Sequence, residues 1–218
     1  MLKMRLQYFG GRGAGSGGGG TGGVDLADVQ STTSLISDRE RRQKEVDQVM
    51  SVLRDVEKRY GVVVTDAQIA TLGKGGAGTM AYYDSNGNLA INEKYFDAAK
   101  MDSAYDKCVE KGFHPSRNNK TGLEAVTAHE MGHRLTDEAG VRAGNGQWNL
   151  DKTSNEIVKK AAQKAGYTDT KAFTAKVSGY AKQNHAEAIA EAFADVYCNG
   201  KKAARESRAI VDVLNTYF

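Results

Sequence analysis

Apolar residues along this chain recur with a helical period in most segments, and this pattern predicts a largely helical protein. After a capping box at Ser37 and Glu40, apolar residues keep helical spacing as far as Tyr60, and Gly61 stops the run. Residues 24–36 are ambiguous, and a short helix is the expectation there. Further helices are predicted at residues 97–112, 121–140, 151–166, 169–177, 177–199 and 207–218.

The segment between the first two helices has the character of β-strands. Residues 62–72 are β-branched and apolar, which predicts one strand. Residues 79–84 and 88–92 predict two more, because Asn86-Gly87 between them is a strong hairpin signal. We therefore expect a small antiparallel sheet within an α+β fold that is mostly helical.

The first 23 residues differ in composition from the rest of the chain. Residues 10–23 are glycine-rich, which predicts a flexible tether, and the apolar residues within 2–9 suggest a docking peptide at its end. Residues 24–218 are long enough to bury a hydrophobic core, and we expect them to form one domain.

Charge and cysteine content exclude several classes of protein. Lysine and arginine number 30 against 27 acidic residues, a net charge of +3 that is too balanced to predict nucleic-acid binding. Cys108 and Cys198 lack metal-motif spacing, so free thiols in a reducing cytosol are expected. The sequence has no apolar run of transmembrane length and no hydrophobic region of a secretory signal, so we expect neither a membrane span nor a signal peptide.

The helix predicted at residues 121–140 carries the main candidate for chemistry. Thr121 and Glu124 form a capping box at its start, and Gly140 is expected to end it. His129 and His133 lie one turn apart on one face, a spacing that lets both imidazoles reach one tetrahedral metal ion. The residue after the first histidine is a glutamate, placed to take a proton from a metal-bound water.

The helix predicted at residues 177–199 offers the carboxylates that such a site needs. Glu187, Glu191 and Asp195 recur every four residues on one face. One carboxylate can complete a His₂Glu site with an open fourth position, and another can accept a hydrogen bond from a ligating imidazole. Spacing leaves two registers open, since either Glu191 pairs with Asp195, or Glu187 binds the metal and Glu191 supports it.

Both helices share residues with a known family. The shared positions are His129, Glu130, Gly132, His133, Tyr180, Asn184, Glu187 and Glu191. In this combination residues 121–199 resemble the C-terminal catalytic domain of anthrax lethal factor and its relatives, which are gluzincin metalloproteases with a zincin-like fold. Met131 departs from the aromatic residue usual in that family.

The resemblance implies a function and a role for each of five residues. Zn²⁺ would be bound by His129, His133 and Glu187, and the chain would be a zinc-dependent metalloendopeptidase acting on a protein or peptide. Glu130 would be the general base that activates water, and Tyr180 would donate a hydrogen bond to the developing oxyanion.

Other residues are expected to support or flank that site. Glu191, together with Asn184 and Asp195, would support the metal ligands. An edge strand within residues 79–92 is a candidate for pairing with an extended substrate. His114, before the proline of a predicted loop, is expected at the surface rather than at the metal.

The start of the chain carries a second resemblance. Its LQYFGGRG segment is similar to the N-termini of minor head proteins in phages of Gram-positive bacteria, which implies a prophage setting. Residues 2–9 would then dock on a virion protein, and the protein would lie in the bacterial cytoplasm or in the virion. Two alternatives to a morphogenesis protease stay open, namely a virion structural protein with a non-catalytic zinc site, and a toxin or effector protease delivered to a host.

Overall fold

The computed structural model describes residues 29–38, 40, 42–84, 86–145 and 150–218. The expectations for the tether and the docking peptide concern residues 1–23, which lie outside the described residues. Within the described residues the fold is α+β, with seven α-helices and a small four-stranded mixed sheet. None of the described helices combines the length and apolar character needed to cross a membrane.

The helices largely follow the predicted segments. Their bounds are α1 Gln43–Tyr60, α2 Ala98–Glu110, α3 Gly122–Arg142, α4 Leu150–Lys164, α5 Thr170–Thr174, α6 His185–Asn199 and α7 Arg205–Leu214. The capping box of α3 is confirmed, because Thr121 Oγ1 accepts from the Glu124 N–H and the Glu124 carboxylate accepts from the Thr121 N–H.

Three predicted helix boundaries were wrong. The capping box at Ser37 is absent, since α1 begins at Gln43 and the Ser37 hydroxyl instead donates to the Ser34 carbonyl at 2.7 Å. Gly140 does not end α3, which continues to Arg142 because tertiary packing outweighs the low helix propensity of one glycine. The last predicted segment before α7 is broken, since Asn184 caps a new helix there.

The sheet contains β1 Val29–Ser34, β2 Ala67–Leu72, β3 Ala81–Tyr83 and β4 Leu89–Asn92, in the order β1-β2-β4-β3. The predicted hairpin is confirmed, because β3 and β4 pair antiparallel. The expectation of an antiparallel sheet was incomplete, since β2 and β4 pair parallel. The helix expected at residues 24–36 was wrong, because residues 29–34 pair with β2 as a strand. The polar sequence of this segment has no hydrophobic period that would predict a strand. It forms a strand because β2 supplies its hydrogen bonds.

Helix α3 lies at the centre of the core and packs closely on α6. Leu123, Met131 and Leu135 are buried and anchor this helix in the core. A Cβ atom added at Gly132 would lie 2.7 Å from the Cα of Ala190, so the backbones of α3 and α6 approach each other at this glycine. Small residues at this crossing bring the side chains of the two helices within reach of one another.

Candidate metal centre

Two helices bring three potential metal ligands to one buried point, which we call the metal-ligand group: His129 and His133 from α3, and Glu187 from α6. The Nε2 atoms of His129 and His133 lie 3.2 Å apart. One carboxylate oxygen of Glu187 lies 3.2 Å from the first of these nitrogens and 3.4 Å from the second. The three ligand atoms therefore form a nearly equilateral triangle.

The size of this triangle fits a tetrahedral ion. Ligands placed about 2.0–2.1 Å from zinc at tetrahedral angles are separated by about 3.3–3.4 Å, which is close to each of the three observed distances. The donor set of two imidazoles and one carboxylate is also one that Zn²⁺ accepts. The group can hold a metal ion, and the carboxylate in it is that of Glu187 and not that of Glu191.

The start of α6 positions Glu187. Asn184 caps the helix, and its side-chain oxygen accepts a hydrogen bond from the Glu187 N–H at 2.8 Å. This cap fixes the first turn of α6, and with it the carboxylate that points to the two histidines. Asn184 therefore supports Glu187 indirectly, by fixing the start of α6.

Glu191 lies one turn further along α6 and holds the orientation of an imidazole. Its Oε1 atom is 2.8 Å from Nδ1 of His129, so this nitrogen carries the proton and Nε2 is directed to the metal-ligand group. The same oxygen is 3.0 Å from Nδ1 of His114. One buried carboxylate thus accepts hydrogen bonds from two histidines.

The expectation for His114 was wrong. This residue is only 3% exposed, and its ring stacks on Tyr105 with centroids 5.4 Å apart. Sequence reasoning missed it because a single histidine in a loop has no spacing relative to the helix it contacts. The only signal in the sequence was the second carboxylate of the helix stripe. A second buried carboxylate needs a second cationic or hydrogen-bond-donating partner, and His114 is that partner.

Two backbone hydrogen bonds join the loop that follows α2 to the segment that precedes α6. The N–H of Gly179 donates to the Gly112 carbonyl at 2.9 Å, and the N–H of Tyr180 donates to the Phe113 carbonyl at 3.0 Å. The ring of Tyr180 is buried, and its centroid lies 5.9 Å from that of His129. This pairing places a phenol beside the metal-ligand group.

Glu130 is placed between the metal ligands and the sheet. Its side chain is 1% exposed, and the backbone N–H of Tyr83 in β3 donates a hydrogen bond to its carboxylate. The other oxygen, Oε2, has no hydrogen-bond partner within the described part of the chain. Burial raises the pKa of Glu130 to about 8, although the adjacent His129 opposes this effect.

Neighbouring histidines stabilise the negative charges of Glu187 and Glu191. Burial alone would raise the pKa of Glu187, but His133 and His129 outweigh it and lower that pKa to about 2. Burial likewise opposes the effect of His114 and His129 on Glu191, whose pKa is also lowered to about 2. Two buried carboxylates at one site require positive charge, which protonated imidazoles or a divalent cation can supply.

Asp195 does not reach this cluster. Its two oxygens accept hydrogen bonds from the Asn199 side chain at 2.8 Å and from the Ala204 N–H at 2.9 Å. The expected support of a metal ligand by Asp195 is therefore corrected, because this carboxylate ties the end of α6 to the start of α7. A helical turn contains about 3.6 residues, so each successive carboxylate of a four-residue repeat is rotated further around the helix axis. Asp195 therefore no longer lies on the face that Glu187 and Glu191 share.

Comparison of the chain with protein-family models, with curated proteins and with solved structures found no match in any of the three. The class of protein is therefore inferred from the site alone.

Proposed function

We propose that this protein is a zinc-dependent metalloendopeptidase with a zincin-like arrangement of its helices and sheet. The observation that carries the proposal is the triangle of ligand atoms from His129, His133 and Glu187, with sides of 3.2–3.4 Å. Among the described residues this group has three protein ligands, as catalytic zinc sites have, whereas structural sites close the fourth position with another protein ligand.

Zinc held by these residues would supply Lewis-acid chemistry, lowering the pKa of water and polarising a peptide carbonyl. Glu130 takes a proton at its Oε2 atom, which is buried and has no hydrogen-bond partner within the described residues, and passes it to the leaving amine. Burial raises the pKa of Glu130, and this favours the stage at which the carboxyl group holds the proton before releasing it to the leaving amine.

Tyr180 is the candidate donor for the carbonyl oxygen of the substrate. Its ring centroid lies 5.9 Å from that of His129, and its phenolic O–H can donate a hydrogen bond as negative charge develops. Removing one such donor typically lowers turnover by a hundredfold or more.

β3 is the candidate strand for pairing with an extended peptide, because it lies at the edge of the sheet. Met80 accepts from the Asn92 N–H and Asp84 donates to the Asn88 carbonyl, so these residues face β4. Because pairing alternates along an antiparallel strand, Ala81 and Tyr83 direct their backbone groups away from β4. The Tyr83 N–H donates to the carboxylate of Glu130, so this side of β3 adjoins the proposed general base.

Metal content tests the site directly. Elemental analysis of the purified full-length protein should find one zinc per chain, and Glu187→Ala should lose most of it. Glu191→Ala is the comparison variant, because it removes a carboxylate one turn away that contacts an imidazole but not the metal position, and its zinc affinity should fall less than that of Glu187→Ala. Retention of zinc by Glu187→Ala together with its loss from Glu191→Ala would reverse the assignment of the ligand.

Cleavage tests the chemistry separately from the metal. The wild-type protein and Glu130→Gln are incubated with a mixture of peptides derived from a cell lysate, and new termini are identified by mass spectrometry. Glu130→Gln should bind zinc as the wild type does and produce no new termini. Equal cleavage by the two proteins would rule out this mechanism, and zinc without cleavage in the wild type would favour a structural metal site.

A further inference from the structure

A cavity of about 780 Å³ lies between α2 and the segment that leads into β3. Its apolar lining includes Met80, Tyr95 and Phe113, and its rim carries Lys94, Lys100, Lys107 and Lys111. No aspartate or glutamate lines it among the described residues. We call it the lysine cavity, and its volume is in the range typical of ligand pockets.

The charge of the rim is largely uncompensated. Lys100, Lys107 and Lys111 are exposed, and none of them forms an ion pair with a residue in the described ranges. Lys94 is partly engaged, because its ammonium group donates to the Ala77 carbonyl at 3.0 Å. Several like charges around an apolar concave surface create a positive potential that attracts an anionic group.

The lysine cavity adjoins residues that surround the metal-ligand group, with Phe113 between them. The ring of Phe113, in the cavity lining, lies 4.9 Å from the ring of Tyr180 and 5.0 Å from that of His114. On the other side, Met80 immediately precedes β3, three residues from Tyr83. At about 3.3 Å per residue, Met80 in the cavity lining lies about 10 Å along the strand from Tyr83, whose N–H donates to the carboxylate of Glu130.

The N-terminal segment of the chain itself is a poor occupant by charge. Lys3, Arg5 and Arg12 are basic, and the first acidic residue of the sequence is Asp25. A positively charged rim repels such a segment and favours a ligand of opposite charge.

We propose that the lysine cavity is a substrate subsite that selects an extended peptide with acidic residues and an apolar side chain about three residues from the scissile bond. The apolar side chain is buried against Met80 and Phe113, while the carboxylates of its neighbours face the lysines of α2. This inference rests on the proposed function, because it takes the carboxylate of Glu130, about 10 Å from the cavity, as the place where the substrate is cleaved.

Binding is tested with two labelled peptides that share the same leucines and differ only in having glutamate or lysine at the remaining positions. Fluorescence anisotropy is measured on full-length Glu130→Gln, so that turnover cannot destroy the peptide. The perturbing variant adds Lys100→Gln, Lys107→Gln and Lys111→Gln. The control variant instead adds the same charge change at exposed lysines outside the cavity, Lys152→Gln, Lys171→Gln and Lys176→Gln.

The glutamate peptide should bind more tightly than the lysine peptide. The affinity of the glutamate peptide should fall about tenfold when the three cavity lysines are substituted. In the control variant it should stay within about twofold of the affinity of Glu130→Gln. Equal binding of the two peptides, or an equal loss in both triple variants, would overturn the proposal.

Cleavage profiling separates this inference from the proposed function. Peptides cut by the wild type should be enriched in aspartate and glutamate on one side of the scissile bond, and the three cavity substitutions should abolish that enrichment while cleavage continues. Cleavage without acidic enrichment would overturn the subsite alone. Absence of cleavage by zinc-loaded wild type would overturn the proposed function, while the anisotropy comparison still decides whether the cavity prefers acidic peptides.

Discussion

The close crossing of α3 and α6 provides the sharpest test of how the fold builds the site, through the substitution Gly132→Ala. The new Cβ would lie 2.7 Å from the Cα of Ala190 and 3.2 Å from the Cβ of Phe193. Carbon atoms in contact prefer separations of about 3.5–4.0 Å, so the two helices must move apart by roughly 1 Å. The nearest atom belongs to the backbone, and a side-chain rotation cannot relieve the clash.

The expected loss of stability follows from two opposing terms. Overpacking of this kind costs about 1–3 kcal/mol, and the upper value applies because backbone atoms collide. The higher helix propensity of alanine returns about 1 kcal/mol. The net loss of about 2 kcal/mol corresponds to a melting temperature lower by about 4–8 °C for a domain of this size.

Metal affinity should fall as well, for a geometric reason. His133 adjoins the substituted residue on α3, and Glu187 lies one turn before Ala190 on α6. Ligand distances tolerate errors of only about 0.2 Å, so a separation of roughly 1 Å should weaken zinc binding at least tenfold. Competition with a chromophoric chelator measures this change.

Gly122→Ala is the matched control on the same helix. Its Cβ would meet the backbone carbonyl of Met101 at 2.9 Å, which is a comparable clash at the far end of α3. This variant should lose a similar amount of stability while keeping zinc affinity within about twofold of the wild type. If Gly132→Ala melted at or above the wild-type temperature, or if both variants lost zinc equally, the reasoning would be refuted.

Three further predictions concern single side chains. Glu191→Gln should fold but bind zinc about 10–100-fold more weakly in chelator competition, because the charge that orients His129 is lost; unchanged affinity would remove its supporting role. His114→Ala should lower the free energy of unfolding by about 3 kcal/mol in urea titration, since it strips one partner from a buried carboxylate; His114→Gln, which keeps a donor, should lose less. Burial raises the pKa of Cys198 to about 12, so an aromatic disulfide reagent at neutral pH should modify half-buried Cys108 at least about tenfold faster than Cys198. If the two cysteines reacted at equal rates in the native protein, as they should in urea, the prediction would be contradicted.

Local patterns were sufficient for most helices and for the hairpin. Thr121 and Glu124 cap α3 through bonds between near neighbours, and Asn86-Gly87 forms a turn whose geometry depends on two residues. Such signals are confined to a few consecutive residues, so they do not require knowledge of the fold. The segment Val29–Ser34 could not be assigned in the same way, because its hydrogen bonds come from β2, far along the chain.

For the candidate site, the helical period was sufficient to predict that His129 and His133 face the same way, since residues four apart on a helix must share a face. Which carboxylate joins them depends on how α6 packs on α3, because α6 can present Glu187 or Glu191 depending on its rotation and on its distance from Gly132. Tertiary structure also turned His114 from an expected surface residue into a buried partner of Glu191. Distances across a helix crossing depend on packing between segments remote in sequence, and no local period encodes them.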